Sequence, residues 1–269
     1  MNYDSLSGHT TATSDESGDL LRSYITWRGI DLLLGVIGVA ILVFVVSIAV
    51  VVPVVAECGE DTPEAYFAAA AAAVIWDIGF AVTAFTIVKR RGGGWQSLGL
   101  RPAFFAARGI FSTIVGAVPL PKVASAVIAG YVLTYFSVIV YGIIVEVTGA
   151  TFLEPSEQLP STLFDNSIVV VMTGIAVVFG APIAEEILFR GFLYGGLRRG
   201  LPILPALLVS GFIFSLAHFN VGLVIPFTLV GAVLAYIYER SGTLYASIGV
   251  HFLFNLTSFS FLVLFPELR

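Results

Sequence analysis

The chain alternates long apolar segments with short polar ones. The apolar segments lie at residues 30–56, 65–88, 123–147, 167–199, 203–219, 223–238 and 244–265. Several exceed about 18 residues, the length of a helix that crosses a bilayer. The pattern therefore predicts an all-α protein, a polytopic transmembrane bundle of about seven spans. Residues 104–120 would add an eighth, but Arg108 and Pro119 interrupt them, which favours an interfacial or half-inserted segment.

Composition supports a membrane protein. The chain has 269 residues, of which 58% are hydrophobic and 12% charged, against roughly 25% charged in a soluble domain. Its single cysteine, Cys58, excludes an intrachain disulfide and a cysteine-based metal site. Residues 1–25 are polar and lack the pattern of a cleavable signal. We predict a disordered cytoplasmic tail at 1–25 and one helical bundle at 26–269, with lipid and no nucleic acid as partner.

Basic residues occur in alternate loops. They precede the first span, separate the second from the third, follow the fourth, and separate the sixth from the seventh: Arg22, Arg28, Lys89, Arg90, Arg91, Arg101, Arg108, Lys122, Arg198, Arg199 and Arg240. The loops after the first, third and fifth spans contain none. Because cytoplasmic loops carry the excess of Lys and Arg, we predict a multi-pass protein with a cytoplasmic N-terminus.

Few polar residues that could take part in a reaction lie inside the predicted spans: Asp77, Glu185, Glu186, Arg190, His218, His251 and Asn255. Charged groups in apolar surroundings are costly unless they pair, line a water-filled cavity or perform chemistry. Glu186 and Arg190 are four apart and share a helix face, so they can form a structural pair. Glu185 points elsewhere and has no obvious partner in its own helix.

Depth along the helices indicates whether these groups could meet. At about 1.5 Å per residue, Glu185 and His218 lie roughly 22 and 27 Å from the turn at Gly200. From the start of the last span, His251 and Asn255 lie roughly 12 and 18 Å in. If the fourth span extends a turn or two beyond the lipid, the four groups lie at one level and can share one site near the middle of the bilayer. Asp77 is interpreted as a polar group at a helix–helix contact or facing a cavity.

Such a site suits hydrolysis. A carboxylate and an imidazole, Glu185 and His218, can hold and deprotonate a water. A second imidazole and an amide, His251 and Asn255, can donate to a developing oxyanion. In the alternative, Glu185, His218 and His251 ligate a divalent metal such as zinc that activates the water. Each histidine taken singly also fits a plain interhelical hydrogen bond.

Three motifs occur in order, Glu185-Glu186-x-x-x-Arg190, Phe214-x-x-x-His218 and His251-x-x-x-Asn255. They resemble the CAAX-protease and bacteriocin-processing family of intramembrane proteases, also called the abortive-infection family. Its best-known branch is the Ras-converting CAAX endoprotease. The resemblance covers residues 178–258, about a third of the chain.

The resemblance implies an intramembrane peptidase acting on a membrane-associated or lipidated peptide. Glu185 would be the general base, with His218 holding the water. His251 and Asn255 would form the oxyanion hole, and Glu186 and Arg190 would orient the site.

The family has been discussed both as metal-dependent and as metal-free, so either no cofactor or one divalent metal is expected. The amide of Asn255 favours oxyanion stabilisation over metal ligation. Two other functions stay open: a proton-coupled transporter, against which the lack of an internal repeat argues, and a non-enzymatic membrane partner such as an immunity or scaffold protein.

Overall fold

The computed structural model describes residues 24–101, 103–104, 118–154 and 159–265. Within these ranges the helices are α1 Gly29–Cys58, α2 Pro63–Arg90, α3 Leu120–Thr148, α4 Ser167–Leu197, α5 Ile203–Leu216, α6 Val221–Ser241 and α7 Leu244–Leu264. Short 3₁₀ turns, Thr151–Leu153 and Ser161–Asp165, lie between α3 and α4. The predicted all-α helical bundle is confirmed, and six of these helices are long and apolar enough to cross a membrane.

Two predictions made from the sequence concern residues that lie wholly or mostly outside the described ranges. The predicted tail, 1–25, is described only from residue 24 onward. Residues 105–117, most of the predicted interfacial segment, are also outside. Its described ends are the two-residue strands β1, Ala103–Phe104, and β2, Val118–Pro119, which pair in parallel.

Helix α5 ends earlier than the hydropathy pattern predicts. It stops at Leu216 rather than at residue 219. Phe219 has φ 51°, which is uncommon for a residue other than glycine and does not continue a helix. With 14 residues, α5 rises about 21 Å, less than the roughly 30 Å hydrocarbon core. His218 therefore lies in the turn after α5, not within a span.

Helix α4 is the centre of the packing. Every residue of its segment Glu186–Tyr194 is buried, and the core around it includes Trp27, Phe214 and Tyr238. Helices α5 and α6 pack closely because Gly211 lies against the α6 backbone: a Cβ there would come 2.4 Å from the Thr228 carbonyl oxygen. Small residues permit such approaches between membrane helices. The segment that carries the polar motif is thus enclosed by its neighbours.

An ion pair joins the ends of α1 and α2. Arg91 Nη2 lies 2.7 Å from Asp31 Oδ1, and Arg91 Nε donates to both carboxylate oxygens at 3.1 and 3.0 Å. The hydrogen bond with Asp31 raises the pKa of Arg91 above its ordinary value. The contact fixes the entry to α1 beside the basic loop that follows α2.

Candidate active site

Glu186 connects two helices at the centre of the bundle. Its carboxylate is fully buried, and Oε1 accepts from Arg190 Nη1 at 2.7 Å and from His251 Nδ1 at 3.0 Å. The first contact is the pairing predicted from the four-residue spacing. The second joins α4 to α7. Arg190 is held further by the Phe214 ring, whose centroid is 4.2 Å from the guanidinium carbon.

The contact with Glu186 determines how His251 can act. An ionised carboxylate accepts hydrogen bonds and does not donate them, so Nδ1 of His251 carries a hydrogen. Nε2 faces Glu185, at 3.9 Å from Oε2. A neutral ring in this tautomer has a bare Nε2, so His251 donates through Nε2 only as imidazolium.

Glu185 is a carboxylate that forms no hydrogen bond through Oε2 with another described residue. Its side chain is 18% exposed, and its Oε2 is buried without a hydrogen bond to the rest of the structure. Buried polar atoms are nearly always satisfied, and an exception calls for an explanation such as a catalytic role or a water. Glu185 is therefore chemically available.

His218 is also held through its Nδ1 atom. Its Nδ1 lies 3.0 Å from the Phe214 carbonyl oxygen in the last turn of α5. A carbonyl only accepts, so Nδ1 donates and Nε2 is left as an acceptor. The ring lies perpendicular to Phe227 with centroids 4.6 Å apart. It is close enough to Glu185 and His251 to interact electrostatically with both.

Asn255 lies one turn further along α7 and contacts the backbone of α4. Its Nδ2 donates to the Val177 carbonyl oxygen at 2.8 Å. The segment Ala176–Gly180 is π-helical, and Ala181 donates to the Ala176 carbonyl five residues back. The next residue, Pro182, has no N–H, so the Val177 carbonyl is left for Asn255. One Nδ2 hydrogen is used in this contact and the other is free to donate elsewhere.

The expected metal ligands do not form a metal site in this conformation. No group of three or more His, Cys, Asp or Glu side chains in the described part of the chain is arranged to hold an ion. Glu185, His218 and His251 are among the side chains concerned.

Two further residues contact the cluster or its helix, and neither was assigned a specific role from the sequence. Phe214 supports Arg190 through its ring and His218 through its carbonyl. Its position four residues before His218 was the available signal. Asp77 of α2 lies against α4: a Cβ on Gly180 would come 2.9 Å from Asp77 Oδ2.

Fold and site together define a multi-pass membrane protein with a buried carboxylate–imidazole cluster, formed by Glu185, Glu186, Arg190, His218 and His251. Residues 167–257 match the family model of the type II CAAX prenyl endopeptidase Rce1-like proteins. This segment extends from α4 into α7 and contains the whole cluster and Asn255. The resemblance to the CAAX-protease family is thereby confirmed.

One curated relative is similar over part of its length. The "Putative membrane peptidase YdiL" of Bacillus subtilis (strain 168) is 29% identical over 100 residues, which cover 37% of this chain and 41% of that protein. The match thus spans about two fifths of either protein and supports a peptidase. No solved structure matches the chain.

Proposed function

We propose that the protein is an intramembrane endopeptidase that hydrolyses a peptide bond in a membrane-associated or lipidated substrate. The observation that carries the proposal is the unpartnered Oε2 of Glu185 beside an oriented imidazole. The match of residues 167–257 to a family of membrane endopeptidases supports the reaction class. Membrane lipid and a peptide or lipidated protein are the partners this function requires.

The proposed reaction begins with a water held between Glu185 and His218. Glu185 takes one proton of the water, while Nε2 of His218 accepts a hydrogen bond from the other. The water oxygen attacks the scissile carbonyl carbon, and the oxyanion accepts hydrogen bonds from His251 Nε2–H and the free Nδ2 hydrogen of Asn255. Glu185 then passes its proton to the amide nitrogen, and the C–N bond breaks to give a carboxylic acid and an amine. The proton of the acid passes to the amine, and a carboxylate and an ammonium are released.

Glu186 and Arg190 act on the reaction through His251. Arg190 donates to Glu186, and Glu186 accepts the hydrogen of His251 Nδ1, so that Nε2 points to the reacting groups. This is the logic by which a carboxylate orients an imidazole in other hydrolases. We propose that this mechanism needs no cofactor. A metal-dependent mechanism would instead use Glu185, His218 and His251 as ligands after they converge.

The test is peptide hydrolysis by the purified full chain in lipid. The substrates are prenylated and unprenylated fluorogenic C-terminal peptides, and the variants are Glu185→Gln, His218→Ala and the exposed-site control Glu64→Gln. Each protein is assayed with and without a chelator. The proposal expects cleavage by wild type and by the control, and loss in both site variants. Loss with the chelator, restored by zinc, would establish the metal-dependent alternative.

Three outcomes would contradict this proposal. Full cleavage by Glu185→Gln would remove the proposed base. Complementation of a gene deletion by the same variant, with no cleavage by wild type, would favour a non-enzymatic membrane partner. Substrate flux in vesicles without cleavage would favour a transporter.

We also propose that the N-terminus is cytoplasmic, as the distribution of basic residues indicates. A reporter fused after Arg269 is then expected on the opposite side of the membrane. A cytoplasmic reporter would contradict this orientation.

A further inference from the structure

Asp77 is an intramembrane carboxylate that the proposed reaction does not use. It lies near the middle of α2, 14 residues after Pro63, which places it about 21 Å from the start of the helix. The side chain is half-buried. No hydrogen bond or ion pair joins it to another described residue. A charged group in a span that lacks a protein partner is expected to serve a function.

Asp77 borders the same part of α4 as the carboxylate–imidazole cluster. Its Oδ2 is next to Gly180, where a Cβ would come to 2.9 Å, so glycine leaves the room that the carboxylate occupies. It also interacts electrostatically with Glu185. Two acceptors without hydrogen-bond partners among the described residues, Asp77 on α2 and Glu185 Oε2 on α4, therefore border the same stretch of α4.

The spacing relates Asp77 to a bound peptide. Gly180 and Glu185 are five residues apart, which is about 7.5 Å along a helix. An extended peptide advances about 3.3 Å per residue. A substrate with its scissile bond at Glu185, lying along α4, would thus bring its second residue from that bond to Asp77.

We propose that Asp77 contacts the substrate about two residues from the scissile bond and selects against an acidic side chain there. This inference rests on the proposed endopeptidase function. When ionised, the carboxylate accepts hydrogen bonds from peptide N–H groups or from a cationic side chain, and it repels a second carboxylate.

The test uses a peptide series that differs at one position at a time. Lys, Gln or Glu is placed at each of the two positions on either side of the scissile bond. Cleavage and binding of labelled peptides are both measured for wild type, Asp77→Asn and Glu64→Gln, the last an exposed carboxylate on the same helix. Asp77→Asn keeps the side-chain shape, and its thermal unfolding is recorded beside that of wild type.

The expected result is position-specific. At the second position on one side, wild type prefers Lys to Glu by roughly tenfold or more in kcat/KM, mostly through KM, and Asp77→Asn removes that preference. The other positions and the Glu64→Gln control keep the wild-type ratios. Gly180→Ala, which displaces the carboxylate without removing its charge, is expected to weaken the preference to an intermediate level.

The outcomes separate this inference from the proposed function. Cleavage with the same Lys-to-Glu ratio in wild type and Asp77→Asn would overturn the role of Asp77 and leave the endopeptidase intact. A changed binding ratio without any cleavage would support the contact and overturn the endopeptidase. Neither binding nor cleavage of any peptide would overturn both.

Discussion

Helix α4 carries charged groups into two buried clusters, and the two differ in how completely they are satisfied. The carboxylate–imidazole cluster lies in the middle of the helix. The second, which we call the anchor cluster, is formed by Tyr194, Arg198 and Glu239 at its C-terminal end. Both join α4 to a neighbouring helix, and both contain a carboxylate bound to an arginine at 2.7 Å.

The anchor cluster has a partner for every charged atom. Arg198 donates through Nε and Nη2 to Glu239 and through Nη1 to the Leu201 carbonyl, while Tyr194 donates to Glu239 Oε2 at 2.8 Å. In the carboxylate–imidazole cluster, by contrast, Glu185 Oε2, Glu186 Oε2 and Arg190 Nε are buried without partners. Full satisfaction indicates a structural cluster, and unused capacity indicates a site for water or substrate.

The sharpest way to test this contrast is to remove the unpartnered carboxylate. Glu185→Gln is expected to lower kcat by about 10²- to 10⁴-fold, the contribution of a general base. The unfolding midpoint should stay near that of wild type, because Glu185 makes no hydrogen bond through Oε2 to lose. Cleavage rate and thermal unfolding are measured on the same preparation. A large drop in stability with retained specific activity would reverse the assignment.

Removing the carboxylate of the anchor cluster is expected to do the opposite. Glu239→Leu leaves Arg198 buried without its partner, which costs about 3–5 kcal/mol of unfolding free energy. Specific activity of the protein that remains folded should be close to normal. Denaturant titration measures the loss. The double variant Arg198→Met/Glu239→Leu should recover much of it, and a double variant as unstable as the single one would contradict this account.

Glu186 both pairs with Arg190 and orients His251, so its substitution should affect both stability and kcat. In Glu186→Gln the amide no longer forces the hydrogen of His251 onto Nδ1, and kcat is expected to fall about 10- to 100-fold, as for other residues that orient a functional ligand. Stability should also decrease, since Arg190 loses its counter-charge. A change in KM alone, with kcat unaltered, would exclude an orienting role.

The smallest effect is expected at Pro182, just after the π-helical segment of α4. Pro182→Ala restores an N–H that competes with Asn255 for the Val177 carbonyl, and a reduction in kcat of about threefold to tenfold would correspond to one weakened hydrogen bond. Asn255→Ala is the comparison. If the two residues act through one contact, the double variant should be no worse than Asn255→Ala. Additive losses would show that Pro182 acts independently of Asn255.

The spacing of residues along the chain explains why the helices and the Glu186–Arg190 pair could be predicted from the sequence. The apolar runs specify the helices because a bilayer requires internally bonded segments of a minimum length. The spacing of Glu186 and Arg190 implies their pairing because residues four apart share a helix face. The end of α5 was missed, since hydropathy continues through Phe219 while the backbone turns after Leu216.

Contacts between distant segments could not be obtained in this way. Arg198 and Glu239 form a buried pair across 41 positions of sequence. The orientation of His251 towards Glu186, and of Asn255 towards Val177, depends on how α7 is rotated against α4.

By itself, then, the sequence determined a helical membrane protein that resembles the CAAX-protease family and has charged residues in α4, because helix length and period are local properties. Only the tertiary structure decided which of those charges are satisfied and which remain available for chemistry. That outcome depends on the rotation and tilt of helices against one another, and no spacing within a single helix encodes it.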